Sequence, residues 1–145
     1  MIRAAVVDAS VVVKWVVEEP GSDLARTLAT AALEAPDLLF TECANILWKK
    51  ARVGDLDKPE AEARLGALLR APVRLAPDRD LLKPALRLAV ELGHPVCDCL
   101  YLALAQVRKL PLVTADTRLV LAVKRRRRDA PRVLSLNELR QASDQ

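Results

Sequence analysis

Residues 2–10, IRAAVVDAS, carry the reading of the fold. A short, mostly apolar run rich in β-branched residues ends abruptly at Asp8. Such a run reads as a strand buried on both faces, the kind found in parallel sheets. An acid at the end of a buried strand is costly to desolvate, so a ligand or several donors must hold it. Working outward, residues 10–17 read as a short helix broken at Pro20-Gly21. Residues 22–34 read as a longer helix capped by Ser22, with Leu24, Leu28, Ala31 and Ala32 at helical spacing. Residues 38–40 read as a second strand, and Thr41 as the cap of a helix that Gly54 stops near Val53.

The alternation continues. Asp57 and Glu60 form a capping-box pattern with Pro59 in the first turn, opening a helix to about Arg70. Strands are expected at 73–75, 112–114 and 132–136. Helices are expected at 80–92, 96–109 and 117–127, with one more at the end. Short apolar strands alternating with helices predict an α/β fold: a central parallel sheet of four or five short strands sandwiched by helices. The 145 residues fit a single domain, residues 1–145, with one sizeable core.

Composition narrows the function. Hydrophobic residues make up 52% and charged residues 29%, which excludes a disordered chain. No apolar run approaches the roughly 20 residues of a membrane span. The apolar start meets Asp8 too early for a signal peptide, so the expectation is a cytoplasmic protein with no membrane partner. Cys43, Cys97 and Cys99 are odd in number and lack a framework, which argues against a disulfide scaffold. They read as buried small hydrophobes rather than zinc ligands. The net charge of +4 is compatible with a polyanionic partner.

In open parallel sheets, ligands bind beyond the carboxyl ends of the strands. Asp8 follows the first strand and Asp116 lies just past the fourth. Glu42 falls in the first turn of the helix after the second strand, and Asp98 starts a long apolar helix. Singly, Asp98 reads as a helix cap, Glu42 as a dipole partner and Asp116 as a turn residue. Together, four acids at one edge repel one another unless a cation offsets them, and a hard divalent ion is the natural solution.

The segments VVDASVVVKWVVEE (6–19), TECANILWKK (41–50), HPVCDCLYLALA (94–105) and LVTADTRL (112–119) resemble, in order, the motifs of PIN-domain ribonucleases. More narrowly they resemble the VapC toxins of toxin–antitoxin pairs. The resemblance implies Mg2+- or Mn2+-dependent endonucleolytic RNA cleavage, with the four acids of the family on Asp8, Glu42, Asp98 and Asp116. It implies supporting positions at Ser10, Asn45 and Thr114, a cognate antitoxin and a homodimer. Cys97 departs from the pattern, standing where an aromatic is common.

Other residues have blander readings. His94, the single histidine, reads as a surface or structural residue. Trp15 and Trp48 read as core or dimer packing. Lys124, Arg125, Arg126, Arg127 and Arg128 read as a solvated helix end or, alternatively, as phosphate contacts to RNA. Two other functions use some of the same features. A receiver-like phosphoacceptor would want an acidic pair after the first strand and a Lys after the fifth. A non-catalytic RNA-binding protein would not require four acids in these places.

Overall fold

The computed structural model describes residues 2–126 and 131–143. In chain order the elements are β1 (Ala4–Val7), α1 (Ala9–Val12), α2 (Ser22–Thr27), β2 (Ala32–Pro36), α3 (Leu38–Arg52), α4 (Lys58–Leu69) and β3 (Val73–Ala76). There follow α5 (Asp78–Leu92), α6 (Val96–Arg108), β4 (Leu112–Thr114), α7 (Thr117–Arg126), β5 (Val133–Ser135) and α8 (Leu136–Ser143). Short 3-10 turns extend α1 over Val13–Trp15 and α2 over Leu28–Thr30.

The five strands form one parallel sheet in the order β3-β2-β1-β4-β5. From β1 the chain steps outward to β2 and β3, then returns to the other side of β1 as β4. Strand order therefore reverses between β1 and β4, and a crevice opens beyond their carboxyl ends. Asp8 and Thr114 stand at that point.

Strand β1 is the middle of the sheet, and Ala5, Val6 and Val7 are completely buried. Helix α6 lies against β1, β2 and β4. Its residues from Cys99 to Ala105 are all buried, as expected of a helix apolar on every side. Burying each Leu of that run contributes about 1.5–3 kcal/mol, which fixes α6 firmly over the sheet. Among the described residues no single helix is long and apolar enough to cross a membrane.

Most expected elements form, including the cap of α4, where the Glu60 N–H donates to Asp57 Oδ1 at 2.8 Å. The second strand is the main correction. It lies at Ala32–Pro36, overlapping the end of the helix expected to run through Glu34. Ala, Leu and Glu favour helix locally, but pairing with both β1 and β3 outweighs that preference. The apolar triplet 38–40 is instead the first turn of α3, with Leu39 fully buried. Thr41 is thus inside the helix rather than at its cap. The cap comes from far away: Asp78 Oδ1 accepts the Leu38 N–H at 3.1 Å, 40 residues along the chain. Glu42 consequently sits in the second turn of α3, not the first.

Smaller corrections concern side chains. Cys43 and Cys99 are buried as expected, but Cys97 is exposed. Trp15 packs against the core and donates Nε1–H to the Ala25 carbonyl at 2.8 Å. Trp48 is half exposed, with the Arg52 guanidinium 5.0 Å from its ring. Of the basic run, Arg127 and Arg128 lie outside the described residues.

Candidate metal centre

The site is built on the switch point. Asp8, immediately after β1, is 8% exposed, so its carboxylate needs donors. Ser10 Oγ donates to Oδ1 at 2.5 Å, and the Thr114 hydroxyl, at the end of β4, donates to Oδ2. Ser10 Oγ also accepts the Ala115 N–H at 2.9 Å, and Thr114 Oγ1 accepts the Asp116 N–H at 3.0 Å. Two hydroxyls thereby stitch the loops after β1 and β4 together across Asp8. Even so, burial outweighs these bonds and pushes the Asp8 carboxyl up to about 6; the Asp98 charge adds to the rise.

Glu42 reaches the same place from α3. Tyr101 of α6, 1% exposed, donates its hydroxyl to Glu42 Oε1 at 2.6 Å. Burial raises the Glu42 carboxyl above its ordinary range; the Tyr101 bond opposes the rise, and the charges of Asp98 and Asp78 reinforce it. The Tyr101 hydroxyl is itself pushed upward, by burial and by its bond to Glu42. It is a permanent donor at neutral pH.

Asp98 is the hub. It occupies the first turn of α6, where the helix dipole favours a carboxylate. Its charge bears on both Asp8 and Glu42. A carboxylate oxygen of Asp98, one of Asp116 and a ring nitrogen of His94 all lie within 4.8 Å of one another. Asp116 caps α7 through Oδ1, which accepts the N–H groups of Arg118 at 3.0 Å and Leu119 at 3.4 Å. That cap holds the carboxylate in a fixed orientation. Among the described residues the structure thus gathers Asp98, Asp116 and His94 to within 4.8 Å of one another, while Asp8 and Glu42 stand outside that group and feel Asp98 through its charge.

Of the expected supporting residues, Ser10 and Thr114 both bond to Asp8. Asn45 is one turn beyond Glu42 but exposed, and it makes no side-chain hydrogen bond among the described residues. Lys124 pairs with Glu138 at 2.9 Å, while Arg125 is exposed. Two residues escaped sequence reasoning. Tyr101 lies within an apolar helix and looks like simple core. His94 Nε2 is 2.7 Å from Asp98 Oδ2, so it belongs to the site and not to an unrelated loop. The signal was present as an i,i+4 spacing of His and Asp at a helix start.

The donor set suits a divalent ion. Carboxylates such as Asp8 and Glu42, both raised by burial and by the charge of Asp98, would be relieved by a cation that accepts oxygen ligands. A parallel sheet flanked by helices, with acids gathered at its switch point, is the arrangement of a PIN domain, and residues 5–125 match that family. The chain belongs to the PIN-domain family.

Within it, the chain is similar to a protein named as a VapC ribonuclease. The chain is 36% identical over 118 residues to ribonuclease VapC3 of Pyrobaculum aerophilum, covering 79% of this chain and 90% of that one. The crystal structure of PAE2754 from the same organism superposes with a TM-score of 0.71 at 27% identity, over 99% of this chain and 91% of that one. A toxin–antitoxin complex from Klebsiella pneumoniae shares the fold, with a TM-score of 0.56 at 18% identity, over 91% of this chain and 97% of that one.

Proposed function

We propose that this protein is a metal-dependent endoribonuclease, the toxin of a toxin–antitoxin pair, acting through Asp8, Glu42, Asp98 and Asp116. The observation that carries the reading is the position of Asp98, which couples electrostatically to two of the other acids and lies within ligand distance of the third. The 36% identity to a protein named as a ribonuclease points to RNA as the substrate.

In this reading Asp8, Glu42, Asp98 and Asp116 hold Mg2+, with Mn2+ as an alternative. The bound ion supplies charge neutralisation at the phosphate and acidifies a water, the nucleophile of phosphodiester hydrolysis. Ser10 and Thr114 fix the Asp8 carboxylate, and Tyr101 fixes Glu42, so that ligand atoms stay aimed without reorganising. Asn45, close by on α3, is assigned a supporting role toward substrate or water. Lys124, Arg125 and Arg126, with Arg127 and Arg128, are assigned to the RNA backbone. A cytoplasmic protein of one domain, paired with a cognate antitoxin and forming a homodimer, completes the proposal. A phosphoacceptor role for Asp8 is disfavoured, because Asp8 stands alone after β1 rather than in an acidic pair, and β5 is followed by Leu136 and Asn137 rather than by a lysine.

The test is RNA cleavage by purified protein with Mg2+, with Mn2+ and with chelator, alongside Asp98→Asn. Cleavage should require the ion and be lost in the variant. Cleavage that survives chelation, or an Asp98→Asn protein as active as the parent, would overturn the proposal.

A further inference from the structure

We infer that His94 contributes a ring nitrogen to the ion held by Asp98 and Asp116, so that the centre is a mixed nitrogen–oxygen site favouring a transition ion such as Mn2+ over Mg2+. The inference rests on the reading of this cluster as a metal centre and adds to it a donor that four acids alone would not supply.

The placement of His94 is built, not incidental. Gly93 adopts a left-handed conformation with φ 63° and ends α5. Pro95 holds the backbone that enters α6, and it also restricts the residue before it. The His94 N–H is tied to the Ala89 carbonyl at 3.2 Å, and its carbonyl accepts a weak Cys99 thiol bond at 3.8 Å. The backbone on both sides is thus fixed, and the ring is directed along the first turn of α6. There Nε2 meets Asp98 Oδ2 at 2.7 Å, with the His94 side chain only 14% exposed. Donor atoms of His94, Asp98 and Asp116 are mutually within 4.8 Å. Ligands held about 2.1 Å from one ion lie within about 4 Å of one another, so the three donors are nearly gathered.

The chemical consequence follows from the nitrogen. Mg2+ takes oxygen ligands and retains water, whereas an imidazole donor raises the affinity of first-row transition ions. The alternative is that His94 only clamps Asp98 through a hydrogen bond. His94→Gln separates the two, because an amide preserves the hydrogen bond while removing the ring nitrogen.

The chain contains one histidine, so a histidine nitrogen coupled to a bound ion must belong to His94. The experiment uses the full chain without a polyhistidine tag, labelled with 15N-histidine and loaded with Mn2+, and reads 15N coupling by pulsed electron paramagnetic resonance. Calorimetric titrations with Mn2+ and with Mg2+ accompany it on the parent and on His94→Gln. Nitrogen coupling is expected in the parent and not in the variant. The Mn2+ dissociation constant should rise about tenfold in the variant, while that for Mg2+ changes by no more than about twofold. Mn2+ bound without nitrogen coupling, and with equal affinity in the variant, would overturn the inference and leave the carboxylate centre standing. A parent protein that binds neither ion would overturn both.

Discussion

The phenol of Tyr101 and the carboxylate of Glu42, 59 residues apart in the chain, meet in a 2.6 Å hydrogen bond that joins α6 to α3 at the acidic cluster. Tyr101→Phe keeps the packing and deletes the donor. A half-buried carboxylate then loses a partner, at a cost of about 1–2 kcal/mol and a melting temperature lower by about 2–6 °C. The Glu42 carboxyl should rise further, and RNA cleavage should fall about tenfold. A variant with unchanged melting and unchanged rate would show that the bond neither holds the fold nor aligns Glu42.

Asp8→Asn should separate stability from activity. Burial raises the Asp8 carboxyl from 3.8 to about 6, which corresponds to a cost of roughly 3 kcal/mol for keeping it charged in the metal-free fold. An amide removes that cost but offers one acceptor where the carboxylate offers two. The expected gain is therefore about 1–2 kcal/mol, read by denaturant unfolding in chelator. Cleavage should drop at least about a hundredfold. A destabilised Asn variant would mean that Ser10 and Thr114 favour the charged form more than burial opposes it.

The same group gives the metal-free protein a definite pH dependence. Between 3.8 and about 6 the folded chain holds more protons than the unfolded one, so its stability rises as pH falls through this window. Glu42, also raised, acts in the same direction. Glu19 acts oppositely: burial works against its charge, but Lys14 and Lys50, each 3.0 Å away, hold it below its ordinary value of 4.5. Its stabilising contribution is present above 4.5 and lost as pH falls lower. Stability in chelator should therefore climb from pH 7 toward about 5 and turn over below 4.5. Asp8→Asn should flatten the climb.

Thr114 is completely buried and serves two acids, donating to Asp8 and accepting from the Asp116 N–H. Thr114→Val removes both bonds at nearly constant shape, depriving the buried Asp8 Oδ2 of its donor and the part-buried Asp116 N–H of its acceptor. The expected loss is about 1–3 kcal/mol, with cleavage reduced. Thr114→Ser, which restores the hydroxyl, should recover most of the activity. Equal activity in the Val and Ser variants would remove the hydroxyl from the account.

Arg125 is an exposed cation on α7, next to Lys124, which is already paired with Glu138. Arg125→Gln should weaken RNA binding modestly and lower the slope of log affinity against log salt by about 0.7, the share of one phosphate contact on a single strand. The rate at saturating RNA should be unaffected. An unchanged salt slope would return this helix end to a purely solvated role.

Local sequence determined the alternation of strands and helices, the burial of β1 and the edge at which Asp8 and Asp116 emerge. These follow from apolar runs, glycine stops and the rule that parallel strands present ligands at their carboxyl ends, all of which act over a few residues. Tertiary structure decided the rest. Residues 32–35 became strand because β1 and β3 flank them, although their own propensities favour helix. Helix α3 starts where Asp78, 40 residues away, supplies its cap. Likewise, nothing adjacent to Tyr101 reveals that it touches Glu42, since a hydrogen bond between distant elements depends on how helices pack and leaves no periodicity in the chain; His94 lies four residues before Asp98, but only the folded turn shows its ring meeting that carboxylate and Asp116.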